Sequence, residues 1–291
     1  MKKWVLRKVA RKEIDMIGGQ AVTEGVLMRG KSDYVIVVRT PKGIKLQKKK
    51  LKSYFGHSKL LKLPVIRGFF TFIDMMLLGI NALSWSANQV AGENEQLSKK
   101  EILIALISAL FLSLFLFVAL PFFLTKLISK NTGLVFNLIE GALRVAILIL
   151  YILIISLLAD IRRIFQYHGA EHKAVNCYEA GEDLTVKNAR KYPTLHPRCG
   201  TSFLIIVLIV SILIFSLITD NRWYIKLGSR ILLIPLVMGL SYELLKLSAR
   251  FKNNMIIRIL IFPGLLVQRI TTKEPDDKQL EIGIRALREL L

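Results

Sequence analysis

Long apolar runs separated by basic loops dominate the chain. Ile102–Leu124 carries no charged side chain. As a helix it would extend roughly 35 Å, enough to cross a hydrocarbon core of about 30 Å. Ser202–Thr219 is also uncharged and about the minimum length for a span. Gly141–Ala159 is apolar except for Arg144 near one end, from where a guanidinium can snorkel to the headgroups. This span is expected to run on as helix past Arg163 to His168. A fourth span is expected from about Leu227 to Ala249, with Pro235 inside it and Glu243 near its far end. Lipid exposure would cost Glu243 about 2–3 kcal/mol, so it should face protein or water.

Pro64–Gly92 has a different pattern. Arg67 and Asp74 interrupt its first half, and Asn81, Ser84 and Asn88 recur at helical spacing. A polar stripe of this kind predicts an interfacial or re-entrant helix. Ahead of it, Tyr34–Arg39 reads as a strand, Thr40-Pro41-Lys42-Gly43 as a turn and Ile44–Leu46 as a return strand. Such a hairpin is too small to fold alone and should pack on the cytosolic loop. Near the C-terminus, Pro263-Gly264 is expected to break an apolar stretch. Leu280, Ile284, Leu287 and Leu291 then share one face of a short amphipathic helix, capped by Asp276 or Asp277.

The fold class that follows is mainly α: a helical integral membrane protein with about four transmembrane helices, a small N-terminal cytosolic β-hairpin region and an interfacial or re-entrant helix. The expected divisions are 1–62, basic, with a Gly-rich motif and the hairpin; 63–95, the interfacial helix; 102–249, four spans with a cytosolic loop 161–201; and 250–291, a cytosolic tail.

Charge sets the orientation. The chain is 53% hydrophobic and carries a formal net charge of +21. Apolar segments in lipid and basic segments at an anionic headgroup surface reconcile the two. Nucleic acid does not fit as a partner, because Lys and Arg flank the apolar runs instead of alternating with aromatics. Basic residues far outnumber acids in 1–62, crowd 161–201 and recur after Ala249, whereas 125–137 holds only Lys126 and Lys130. Four spans with both termini in the cytosol put every dense cluster inside. Met1–Asp15 is too charged for the apolar core of a signal peptide. Two cysteines, Cys177 and Cys199, are too few for a disulfide framework and are expected to be reduced thiols.

Chemistry concentrates in one stretch. Of the 4 histidines, all but His57 fall between residues 168 and 199, with both cysteines. On a helix His168 and His172 lie about 40° apart, Glu179 returns to the same face, and Cys177 points to the opposite side. Gly181 is a natural helix stop. His196-Pro197-Arg198-Cys199-Gly200 then offers an imidazole and a thiol on a Pro/Gly-shaped loop. Two imidazoles from a helix with His196 or Cys199 from a loop make a nitrogen and sulfur donor set that suits a divalent metal, zinc first. In the pattern His-x-x-Glu-His the Glu171 carboxylate has the place of a general base. Glu243 is a candidate distant ligand. His57 stands alone in a basic stretch and reads as surface. A second motif, Gly18–Gly30, has glycines that permit turns and close backbone approach and reads as turn-and-strand structure. Its spacing is that of neither a phosphate-binding loop nor a dinucleotide fingerprint. Glu24 and Arg29 could line a site there or form an ion pair.

Gly18–Gly30, Tyr167–Val175, His196–Ser202, Ser241-Tyr242-Glu243 and Pro263–Asp277 together resemble the YqhQ family. The resemblance covers most of the chain. It implies a bacterial multi-pass protein of the cytoplasmic membrane, described as a predicted metal-dependent enzyme, and leaves the substrate open. The leading expectation is therefore a membrane-embedded metal-dependent enzyme, a hydrolase acting at the cytosolic face. The alternative is a non-enzymatic membrane scaffold or assembly factor with a structural metal. A transporter is disfavoured, since the uncharged first and third spans show no acid/base relay. Protein partners are not legible.

Overall fold

The computed structural model describes residues 17–52, 61, 63–91, 96, 98–129, 133–218, 220, 222–250 and 254–291; His57 lies outside them. The described residues open with a four-stranded antiparallel meander in the order β1-β2-β3-β4: β1 (Gly18–Val22), β2 (Gly25–Arg29), β3 (Asp33–Thr40) and β4 (Gly43–Lys50). The expected hairpin is its β3–β4 half. The Gly-rich motif supplies the other half, pairing Val22 with Gly25 and Gly18 with Arg29.

The central strands are apolar on both faces because both faces are covered. Val26, Met28, Val35 and Val37 form one core with Tyr167, Ala170 and Ala174 and with Leu280, Ile284 and Leu287. Val22, Leu27, Ile36 and Val38 form a second core with Leu78, Ala82 and Trp85. The helices involved are α1 (Ile66–Val90) on one face, and α4 (Ala159–Glu179) and α10 (Asp277–Leu290) on the other. Full burial of each large aliphatic side chain contributes about 1.5–3 kcal/mol. The N-terminal sheet, the 159–199 segment and the tail helix are thus one polar module, not separate regions. Helix α10 starts on a capping box between Asp276 and Gln279. It buries Leu280, Ile284 and Leu287 and leaves Leu291 exposed.

Among the described residues, three helices are long and apolar enough to cross a membrane: α1, α2 (Lys99–Ile128) and α3 (Leu134–Ile155). Helix α2 begins on a capping box of Ser98 and Glu101 and contains one π turn, Phe115–Ala119. It meets α3 through its second half, where Phe117 packs on Tyr151 and Phe122 on Phe136. Helix α3 does not continue to His168. It stops at Ile155, the chain turns at Ser156–Leu158, and α4 starts afresh at Ala159.

After the short α5 (Val186–Ala189), α6 (Gly200–Ser216) is a shorter apolar helix that leaves the module. The expected fourth span is two helices, α7 (Trp223–Leu232) and α8 (Ile234–Arg250), broken at Leu233. Pro235 accounts for the break, since it has no N–H to continue the first helix and fits the first turn of the second. Conversely, Pro263-Gly264 does not break α9 (Met255–Thr271). Gly264 packs there directly on Ser202 of α6, where a Cβ would lie 2.7 Å from the Ser202 Cα.

Far from the module, α3 and α7 share a buried polar cluster. Glu140 accepts from Arg144 (2.6 Å) and from both Nε (2.6 Å) and Nη2 of Arg230. Asn137 accepts from Arg230 (3.0 Å) and donates to the Phe215 carbonyl (2.9 Å). All four polar side chains are buried, so Arg144 is held inside the protein and does not snorkel.

Candidate metal centre

Helix α4 carries His168, Glu171 and His172 on its flank, and glycines let other segments come close. A Cβ at Gly169 would collide with the Lys273 carbonyl, and Lys273 N–H donates to the Phe165 carbonyl (2.9 Å). This grip brings the end of α9 to the His face. His168 Nδ1 lies 2.9 Å from the Thr271 carbonyl oxygen, and His172 Nδ1 lies 2.5 Å from the Thr194 carbonyl oxygen. A carbonyl can only accept, so each Nδ1 carries the proton and each Nε2 keeps a lone pair. Metal-binding histidines are oriented in this way.

The Nε2 lone pair of His168 faces Cys199 Sγ at 3.1 Å. Cys199 caps the N-terminus of α6, its sulfur accepting from Thr201 N–H (3.4 Å). The ligand atoms of His168, His172 and Cys199 all lie within 4.8 Å of one another. Zn–N and Zn–S bonds of about 2.0–2.3 Å in a tetrahedron require separations of about 3.3–3.8 Å. The His168–Cys199 pair would open slightly and the wider separations would close for the set to hold an ion.

His196 is beside this group and engaged elsewhere. Its ring centroid is 5.6 Å from that of His172. Its Nδ1 accepts from Arg198 N–H (3.3 Å), which puts the proton on Nε2, 3.4 Å from Glu179 Oε1. Glu179 also pairs with Arg198. The His196 backbone is fixed by Gln268, which accepts from its N–H (2.9 Å) and donates to its carbonyl (3.0 Å). Glu243 is not part of the cluster. It forms a bidentate ion pair with Arg67 of α1, at 2.6–3.1 Å, and so has the arginine partner that a membrane-flanking carboxylate needs. Cys177 is buried on the opposite side of α4, its thiol directed to the Asp183 carbonyl.

Glu171 is buried against Gly19 of β1, where a Cβ would lie 2.6 Å from its Cδ and Oε1. Burial pushes its carboxyl above the usual carboxylate range, opposed by His168 and His196. Its Oε2 has no hydrogen-bond donor among the described residues. Burial likewise holds the His172 imidazole below its ordinary value, favouring the neutral ligand form. Glu24 and Arg29 do not pair with each other. Glu24, at φ 52° in the β1–β2 turn, takes Arg163 in a bidentate pair and the Tyr167 hydroxyl at 3.1 Å. Arg29 sits at the end of β2 opposite Tyr34. The supporting Thr194, Gln268 and Thr271 carry no signal in the sequence that marks them.

Residues 63–291 match the profile of a family described as a protein of unknown function, DUF1385. The chain is also 35% identical over 294 residues to the uncharacterized protein YqhQ of Bacillus subtilis (strain 168), covering 94% of this chain and 92% of that protein. The chain belongs to the YqhQ family. No solved structure matches it. The matched family region contains His168, His172, Cys199 and Glu171, whereas the sheet that covers Glu171 precedes it.

Proposed function

We propose that this member of the YqhQ family is a metal-dependent hydrolase of the bacterial cytoplasmic membrane, with its centre at the cytosolic face. One observation carries the reading: His168, His172 and Cys199 converge, with both imidazoles fixed by carbonyls so that Nε2 is the available atom. The residues fit zinc by donor chemistry, two nitrogens and one sulfur, and three protein ligands are the number a catalytic site keeps. The buried, unpartnered Glu171 Oε2 supports the same conclusion. A bound divalent ion would supply Lewis acidity. The chain supplies the rest: Glu171 accepts a proton from water, and Gln268, Thr194 and Thr271 hold the histidines in place.

In this reading α2, α3, α6 and the α7–α8 pair are the four crossings. Helix α1 is interfacial or re-entrant, supported by Ala82 and Ser86 being buried and Leu78 and Trp85 packed against the sheet. The exposed lysines of β4, among them Lys45, Lys49 and Lys50, suit anionic headgroups. A structural metal in a scaffold is the second reading. It is favoured by the burial of His172 and Cys199 and by the way the cluster ties α4, α6, α9 and the Thr194–His196 loop together.

Elemental analysis of protein purified without chelators should find about one zinc per chain, lost in His168→Ala/His172→Ala. Glu171→Gln separates the two readings. For a hydrolase it should retain zinc and expression but lose complementation of a deletion strain, since general-base work contributes about 10²–10⁴ in rate. Full complementation at matched expression would leave the scaffold.

A further inference from the structure

The strand that lies on Glu171 is also an outer strand of the meander. Val22 and Gly25 flank the two-residue Thr23-Glu24 turn and form the hydrogen-bonded closing pair. Antiparallel alternation then bonds Gln20 to Leu27 and Gly18 to Arg29. It turns the N–H and C=O of Gly19 and Ala21 away from β2. Gly18, Gly19 and Gln20 are exposed, whereas Gly25–Met28 of β2 are buried. The hairpin is clamped at its turn from both sides: Thr23 N–H donates to Ser86 Oγ of α1 (3.1 Å), and Glu24 is held by Arg163 and Tyr167 of α4. The outward groups are therefore in place before any ligand arrives.

We propose that this edge takes an extended peptide as an added strand, and that the bond cleaved at the centre is a peptide bond. The inference rests on the hydrolase reading above. A strand edge presents N–H and C=O groups at a repeat of about 3.3 Å per residue, which another extended polyamide matches; an acyl chain or a headgroup would use none of them. An added strand would lie about 4.8 Å outside β1, the strand that covers Glu171, next to His168 and His172 in the order of side chains around α4. These follow Glu171 around the helix by about 60° and 100°. Water adds to the amide carbonyl carbon and the C–N bond breaks. Glu171 takes a proton from that water and passes it to the leaving nitrogen, giving a carboxylic acid and an amine.

The test uses the full chain in lipid nanodiscs and an equimolar mixture of ten-residue peptides rich in Val, Ile and Thr. With zinc, mass spectrometry should show internal cleavage. Without zinc, the same peptides should slow hydrogen exchange at the Gly19 and Ala21 amides, a binding signal independent of turnover. Ala21→Pro deletes an outward N–H but no ladder bond. It should keep its zinc and raise KM about tenfold, the effect of one lost hydrogen bond. Peptides N-methylated at every residue, which have no N–H to give to either edge, test the same point on unaltered protein and should not slow exchange at Ala21. Equal slowing of exchange by methylated and unmethylated peptides overturns the proposal. So does an Ala21 amide already protected in the peptide-free protein, which would mean that another segment covers the edge. Hydrolysis of a water-soluble ester with zinc, but of no peptide, ends the peptide inference and leaves the hydrolase standing. Failure to hydrolyse either ends both.

Discussion

Two main-chain oxygens, those of Thr194 and Thr271, decide which nitrogen each histidine presents. The histidine pair itself was legible in the sequence, because a four-residue spacing puts both rings on one helix face. The oxygens were not, since every residue has a carbonyl and none advertises its direction. The same limit applied to Glu243, which suits a distant ligand by sequence and is instead matched to Arg67 by packing across 176 positions. Gly19 is an intermediate case. Its motif announced a close approach, and only the fold shows that the neighbour is Glu171. Gly18 provides its control, as a Cβ there meets nothing within 4 Å. We expect Gly19→Ala to lower stability by about 1–3 kcal/mol, the usual cost of overpacking, or to displace the Glu171 carboxyl and abolish function. Gly18→Ala should be near neutral. Thermal unfolding of the two variants side by side measures the difference.

Helices were easier to read than strands. The apolar runs behind α2, α3 and α6 are unambiguous, and the Asp276 cap and Gly181 stop fall where local chemistry puts them. Gly18–Gly30 was legible as turn and strand, but not the bounds or pairing of β1 and β2, because glycine and methionine carry little strand signal and the apolar residues do not alternate when both faces are covered. The break between α7 and α8 was underestimated, although Pro235 marks it. That break positions Arg230 to reach Glu140. Removing the acid would leave two buried guanidinium groups without their carboxylate, and breaking a buried pair costs about 3–5 kcal/mol. Glu140→Ala should therefore lower the unfolding temperature in detergent sharply. Glu140→Gln, which keeps an acceptor but no charge, should fall between it and the native chain.

At the level of the whole molecule, elements far apart in the chain, β1 and β2 on one hand and α10 on the other, pack on α4. The sheet, α10 and the candidate centre therefore occupy the same side of the bundle, whichever way that bundle sits in the membrane. In the proposed orientation, which rests on basic asymmetry, that side faces the cytosol. Single cysteines placed at Lys187 and Lys278 in a Cys177→Ala, Cys199→Ser background should resist a membrane-impermeant maleimide in intact cells and react after lysis. Labelling of both in intact cells would invert the orientation. The Glu140–Arg230 contact also has a bearing on how the protein is made. The two residues are 90 positions apart, so at about 5–20 residues per second the ribosome reaches Arg230 roughly 5–20 s after Glu140. During that interval α3 has only its own Arg144 as a partner for the acid. The far end of the bundle is thus completed late in synthesis, and a chain stalled before α7 would display an unfinished ion pair to the quality-control proteases of the membrane.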